Sequence, residues 1–110
     1  MLFRSTSRLP RSVKYRVLPD AQRDLEDIDD WVVEHFGPDF ADRTVAKLYD
    51  TFDLLTDFPQ MGQLRPDVVS GGVRFFLVKP YWIIYQAGST LLIHRIYHAA
   101  RDLNRIGLDK

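Results

Sequence analysis

Two histidines and two arginines crowd the last third of the chain: His94, Arg95, His98 and Arg101, with Asp102 behind them. If the segment around Arg101 is helical, His98 and Arg101 share a face. A histidine beside an arginine can serve as general acid and phosphate clamp in a nuclease. The same pair serves equally well as a hydrogen-bonded hinge for a terminal segment, and the residue types alone do not choose. Arg74 stands one step into an apolar strand. Its stem covers apolar surface while its head reaches water, a carboxylate or a partner. Arg95, between Ile93 and Tyr97, calls for a carboxylate partner, because an arginine on a buried strand is rarely left unpaired. His94 reads as a satisfied sheet histidine. Trp82 is either core or an interface anchor, and Trp31 reads as core or hairpin packing. His35, His94 and His98 are the only histidines, in no ligand spacing, and there is no cysteine. Neither a metal site, a disulfide nor a cofactor is expected.

The elements that position these residues follow from periodicity. Val13–Val17 alternates in period two and reads as a strand. Pro19 suits a helix's first turn, and Ala21, Leu25, Ile28 and Val32 recur at helical spacing up to Gly37-Pro38. A second stripe, Ala41, Val45, Leu48, Phe52 and Leu55, ends at Pro59. A loop this short makes the two helices an antiparallel hairpin. After a loop from Pro59 to Gly72, Val73–Val78, Trp82–Gln86 and Leu91–Tyr97 read as strands, joined at Lys79-Pro80 and Ala87-Gly88-Ser89. Connections this short exclude parallel crossovers, so the three strands form an antiparallel meander. Ala99–Ile106 fits a short terminal helix stopped at Gly107. The fold class is therefore α+β: an N-terminal strand, then a helical hairpin packed on one face of an antiparallel meander.

At 110 residues with 45% apolar content, the chain is one domain with a modest core. No apolar run approaches ~20 residues, so no membrane span is expected. The formal net charge of zero hides a polarity. Residues 1–19 carry five bases and no acid, residues 20–58 hold twelve acids against three bases, and residues 59–110 hold seven bases against three acids. An acidic helical half facing a basic sheet half steers partners by sign. The first 12 residues read as a flexible basic extension, because no apolar stretch accompanies the charge as a secretory signal requires.

One pattern in the sheet bears on function. Val73, Phe75 and Leu77 fall on one face, with Phe76 and Val78 on the other. Trp82 and Ile84 oppose Tyr81, Ile83 and Tyr85 in the same way. Both faces are apolar, yet one hairpin covers only one. The second face is expected to be covered by the terminal segment or, as the favoured reading, by a partner chain.

The ordered series Tyr15-Arg-Val-Leu18, Ala21-Gln-Arg-Asp24-Leu25-Glu-Asp-Ile28, Phe58-Pro59-Gln-Met-Gly62, Gly72-Val-Arg74, Tyr81-Trp-Ile-Ile-Tyr85 and Ile96-Tyr-His98-Ala-Ala-Arg101-Asp102 resembles the RelE/ParE superfamily of bacterial type II toxins, and its ParE branch most closely. The resemblance covers residues 13–108. It implies a cytoplasmic toxin that causes growth arrest, belongs to a plasmid-stabilisation type of system and is held inactive by a cognate ParD-like antitoxin. The ParE branch implies DNA gyrase as the target, poisoned by protein–protein binding without catalysis or sequence-specific nucleic-acid binding. The contact residues expected on that reading are Arg74, Phe76, Trp82, Arg95, His98 and Arg101. The RelE branch implies instead a ribosome-dependent messenger-RNA endoribonuclease, in which His98, Arg101 and Arg74 are the candidate catalytic groups. Those relatives carry an arginine where this chain has Trp82, and the central strands here offer few cations. A third possibility is a non-toxic binding module of the same fold. A small ribbon-helix-helix gene beside this one is expected if the chain is paired with an antitoxin.

Overall fold

The computed structural model describes residues 15–67 and 71–100. The elements run β1 (Tyr15–Val17), α1 (Pro19–Phe36), α2 (Pro38–Asp57), β2 (Gln63–Leu64), β3 (Val73–Val78), β4 (Tyr81–Gln86) and β5 (Leu91–His98). Their order follows the sequence periodicity, and the fold is α+β as expected. The described part of the first strand begins at Tyr15. The proposed terminal helix meets the described region only at Ala99 and Ala100, which form a turn. The rest of it, like the N-terminal extension, lies outside the described residues.

Backbone chemistry fixes the hairpin. Pro19 and Pro38 open their helices, where a missing N–H costs nothing. Gly37 lies between them at φ 93°, so it belongs to both ends. Its N–H donates to Val33 O at 3.0 Å, and its own carbonyl accepts the Ala41 N–H at 3.1 Å. A left-handed residue at this joint reverses the chain in one step, which glycine does without a Cβ penalty. Thr44 and Thr51 sit buried on α2, their hydroxyls satisfied by the carbonyls of Phe40 and Lys47.

The sheet has the order β1-β5-β4-β3-β2. β3, β4 and β5 form the expected antiparallel meander. The sequence did not indicate where β1 would pair. It lies parallel to β5, Tyr15 opposite Leu91 and Val17 opposite Ile93, so the helical hairpin is the crossover of a β-αα-β unit. The two-residue strand β2 falls in what the sequence shows as loop, pairing Gln63 with Phe75 and Leu64 with Arg74. A bulge between Ile84 and Tyr85 on the β4–β5 ladder shifts the register. Within it, His94 joins its ring to Gln86 Oε1 at 3.1 Å, and Gln86 Nε2 donates to Gly71 O at 3.1 Å. Partial burial lowers the His94 pKa and favours the neutral ring. That matches a satisfied sheet histidine.

The main core lies between the hairpin and one sheet face. Ala21, Leu25, Leu48, Phe52 and Leu55 meet Tyr81, Ile83, Tyr85, Leu91, Ile93 and Ile96 there. The opposite face corrects a sequence expectation. Val73, Phe75, Ile84 and Tyr97 form a second buried cluster, to which neither helix contributes a residue, with Trp82 packed against it. Phe75 is 1% exposed and Ile84 0%, so the centre of this side is hidden within the single chain, while Leu77 and Trp82 at its margin stay half-buried. Alternation along the strands correctly places apolar residues on both faces. Which part of a chain reaches the second face is a long-range matter that alternation does not encode.

Candidate functional site

The hairpin and the C-terminal half of β5 enclose a cleft of about 610 Å³. Helix α1 supplies Asp24, Asp27, Ile28 and Trp31, and the strand side supplies Tyr81, Arg95, Ile96 and His98 among others. These α1 positions recur at three- and four-residue steps, so one stripe of the helix forms a wall. Asp24 is fully engaged. Its Oδ2 accepts Arg95 Nε at 2.8 Å and the Ile96 N–H at 2.9 Å, while Oδ1 accepts Arg95 NH2 at 3.0 Å. The paired carboxylate raises the Arg95 pKa further. Arg95 also lies over the Tyr97 ring, 4.5 Å from its centroid. Arg95 therefore has the carboxylate partner that its place on the strand demanded.

His98 is exposed at the end of β5, with its ring edge-on to Tyr81. Its Nδ1 accepts the Ala100 N–H at 3.1 Å, which leaves the proton of the neutral ring on Nε2. Arg101 lies outside the described residues. Arg74 is elsewhere: its NH1 donates to Gly62 O at 2.8 Å. In the ladder Arg74 stands opposite Tyr85, whereas His98 stands opposite Tyr81. Four strand residues, roughly 13 Å at ~3.3 Å each, separate those positions. The fold does not bring Arg74 and His98 together.

Arg74 instead belongs to a clasp that the sequence did not reveal. The Tyr85 side chain is fully buried, its hydroxyl donating to Pro59 O at 2.7 Å and accepting the Gly62 N–H at 2.8 Å. A Cβ on Gly62 would lie 2.6 Å from that hydroxyl oxygen, so glycine is required for the approach. Burial pushes the Tyr85 pKa up, with weaker opposing effects from the Gly62 hydrogen bond and Arg74. Three of the quoted motifs, from Pro59 to Gly62, at Arg74 and at Tyr85, thus meet as one structural unit. Their spacing held a signal only in combination.

The remaining expected contact residues divide by environment. Phe76 is half-buried against the main core. Trp82 rims the second cluster, its ring edge-on to Phe75 at 6.3 Å between centroids. Trp31, expected in the packing, is 52% exposed. It stacks on His35 at 3.9 Å, and His35 Nδ1–H donates to Trp31 O at 2.8 Å. Phe36 and Phe40 extend this exposed aromatic row around the hairpin tip, and Arg43 covers the Phe40 ring. No group of three His, Asp or Glu among the described residues is placed to hold a metal ion. No helix there is long and apolar enough to cross a membrane.

Comparison with known proteins gives this arrangement a family. Solved structures that match include one titled "Chromosomal ParDE TA system from P. aeruginosa", with a TM-score of 0.65 and 26% sequence identity over 77% of this chain and 96% of that one. Among curated proteins none matches in sequence. The family model described as "ParE toxin of type II toxin-antitoxin system, parDE" matches residues 15–103, from β1 to beyond the end of β5. With its hairpin-on-meander fold and its ordered motifs, the chain belongs to the ParE toxin family of type II toxin–antitoxin systems.

Proposed function

We propose that this protein is the toxin of a ParDE-like pair, acting in the cytoplasm as a protein ligand of DNA gyrase and neutralised by a cognate ParD-like antitoxin. The observation that carries the reading is the family match across the whole described fold. The fate of the candidate nuclease groups supports it. Arg74 is spent on the Gly62 carbonyl, far along the sheet from His98, and the one further arginine near His98 among the described residues, Arg95, is neutralised by Asp24. A phosphodiester-cleaving site needs its acid, base and cations within hydrogen-bond reach of one phosphate. Binding makes no such demand. The exposed aromatic row on the hairpin and the cleft beside it are the kind of surface that anchors a protein partner.

The test is a supercoiling reaction with purified gyrase and the isolated chain. Supercoiling should fall and linear DNA should accumulate as the chain is added, and the product of a neighbouring ribbon-helix-helix gene should restore the reaction. Unimpaired supercoiling at a large excess of folded chain overturns gyrase as the target. Codon-biased cuts in translated message, lost in His98→Ala, would replace it with the endoribonuclease reading.

A further inference from the structure

The large apolar side chains that stay exposed fall into two rows, near the two ends of α2. One is the aromatic row at the hairpin tip. The other is Leu54, Phe58, Met61 and Leu64, which are 39%, 57%, 44% and 50% exposed. Steps of four and three residues keep the first three on one side of the chain as the helix ends. The Phe58 N–H donates to Leu54 O, and the Met61 N–H to Phe58 O. The Tyr85 clasp fixes this side outward: Pro59 and Gly62 face the hydroxyl, while Phe58 and Met61 beside them face water. Lys47, two helical turns before Leu54, reaches Lys79 O at 3.2 Å, so the row lies on the flank of α2 that faces β3 and β4.

The row ends on an open strand edge. β2 is outermost in the sheet, and its outer side has no strand partner among the described residues. Successive residues of an antiparallel ladder turn their backbone N–H and C=O to alternate sides, so one of Gln63 and Leu64 presents both groups outward. Charge sets this region apart as clearly as hydropathy does. From Leu54 to Leu64 the one charged residue is Asp57, in a chain whose residues 20–58 hold twelve acids. Just beyond, Arg65 donates twice to Asp67, at 3.0 and 3.1 Å, so the charges at the end of β2 cancel. A partner attracted by sign meets the acidic hairpin and not this row.

We propose that this edge is the contact between two copies of the chain, related by a two-fold axis through β2, with Phe58, Met61 and Leu64 packed across it. A strand edge paired antiparallel with its own copy is two-fold by construction, and the pairing closes on itself. A neutral apolar row gives a foreign partner no charge to complement. A second copy brings the same row, the same edge and an Arg65–Asp67 pair in the opposite order. With about 200 Å² for one large side chain, the row exposes roughly 400 Å² per copy, about half of what a standard interface buries on each side. The dimer is therefore reversible. The α1–β5 cleft lies across the sheet, beyond β3 and β4, so both copies keep it open. Two such faces on one particle raise the avidity for any partner that is itself two-fold. The proposal does not rest on the gyrase reading, since it concerns how the chain assembles and not its target.

The test is sedimentation of the full chain from about 10 µM to about 1 mM, across which a contact of this size should shift from monomer to dimer. Amide spectra over the same dilution should move at Gln63 and Leu64 together. Leu64→Lys, at an exposed position, should raise the dissociation constant roughly tenfold or more, with its amide spectrum showing an intact fold. Phe58→Ser should weaken the dimer in the same direction, and Phe36→Ser, in the other exposed row, should leave it unchanged. The chain has no cysteine, so Gln63→Cys gives a single thiol that a short bismaleimide should link into dimers, whereas Phe36→Cys should not link. A monomer at millimolar concentration overturns the proposal. So does a dimer indifferent to both Leu64→Lys and Phe58→Ser, or one that links through Phe36→Cys. A monomeric chain whose Leu64 amide responds only to the cognate antitoxin overturns it too, and gives the row to that partner. Gyrase inhibition and growth arrest do not enter the readout, so failure of the dimer and failure of the toxin reading remain distinguishable.

Discussion

Tyr85 shows how one buried hydroxyl organises a loop. It donates to Pro59 and accepts from Gly62, and Arg74 holds the Gly62 carbonyl from the other side. Tyr85→Phe removes both bonds of the hydroxyl and leaves the buried Gly62 N–H without a partner, which should cost about 1–3 kcal/mol in a denaturant titration. A loss below the error of that titration would mean that the loop finds other partners. The raised pKa values of Tyr81 and Tyr85, caused chiefly by burial, give a second readout. A phenol whose folded pKa exceeds its unfolded one contributes stability that is intact below the ordinary tyrosine value and is lost as pH rises through and beyond it. Stability should therefore fall on the alkaline side, and phenolate absorbance should show late-titrating phenols whose midpoint drops on unfolding. The Asp24–Arg95 pair lives at the same scale. Asp24→Ala strands a mostly buried guanidinium and the Ile96 N–H, and should destabilise by roughly 2–3 kcal/mol. Combining it with Arg95→Met should recover part of the loss, as expected for groups that act on one another. Strictly additive losses would show that the pair contributes nothing jointly.

Element by element, what was legible in the sequence is what short-range patterns encode. The stripe from Ala21 to Val32 and the stripe from Ala41 to Leu55 mark two helices, because each repeats at the helical period between prolines. Strands β3, β4 and β5 follow from alternation and from connections too short for anything but hairpins. The parallel pairing of β1 to β5 joins positions some 76 residues apart, Tyr15 with Leu91, and no local pattern reports it. β2 is two residues long and owes its place to the loop that Tyr85 clasps, so its own residues carry no strand signal. The cleft was half visible: His98 and Arg95 stand out by type, but Asp27 and Trp31 look like ordinary members of an acidic, solvated helix. Gly37 offers a test at this scale. Its φ of 93° strains any side chain, although no atom lies within 4 Å of an added Cβ. Gly37→Ala should cost about 1 kcal/mol from backbone strain alone, with an unchanged fold by amide spectra. A change in the hairpin's geometry would instead make Gly37 a steric requirement.

For the whole molecule the decisive question is whether the sheet has one core or two. Ile83 and Ile84 are neighbours in sequence, both 0% exposed, and they point to opposite sides. Ile83 belongs to the cluster beneath the hairpin and Ile84 to the cluster with Val73, Phe75 and Tyr97. If the second side were a bare surface awaiting a partner, removing the Ile84 side chain from the isolated chain would change little. Single exposed apolar residues contribute near zero to folding, and surface substitutions stay within about 0.5 kcal/mol. If the single chain closes that side, Ile84→Ala leaves a cavity and costs about 2–4 kcal/mol, comparable with Ile83→Ala. The burial favours the second outcome. It also bears on the partner's place, because a sheet face with a buried centre offers less docking surface than the exposed hairpin row and the open α1–β5 cleft. Equilibrium unfolding of both variants, alone and with the cognate antitoxin, separates the possibilities. Equal losses in the free chain confirm two cores. A loss for Ile84→Ala that appears only as weakened antitoxin binding would return the second face to the partner.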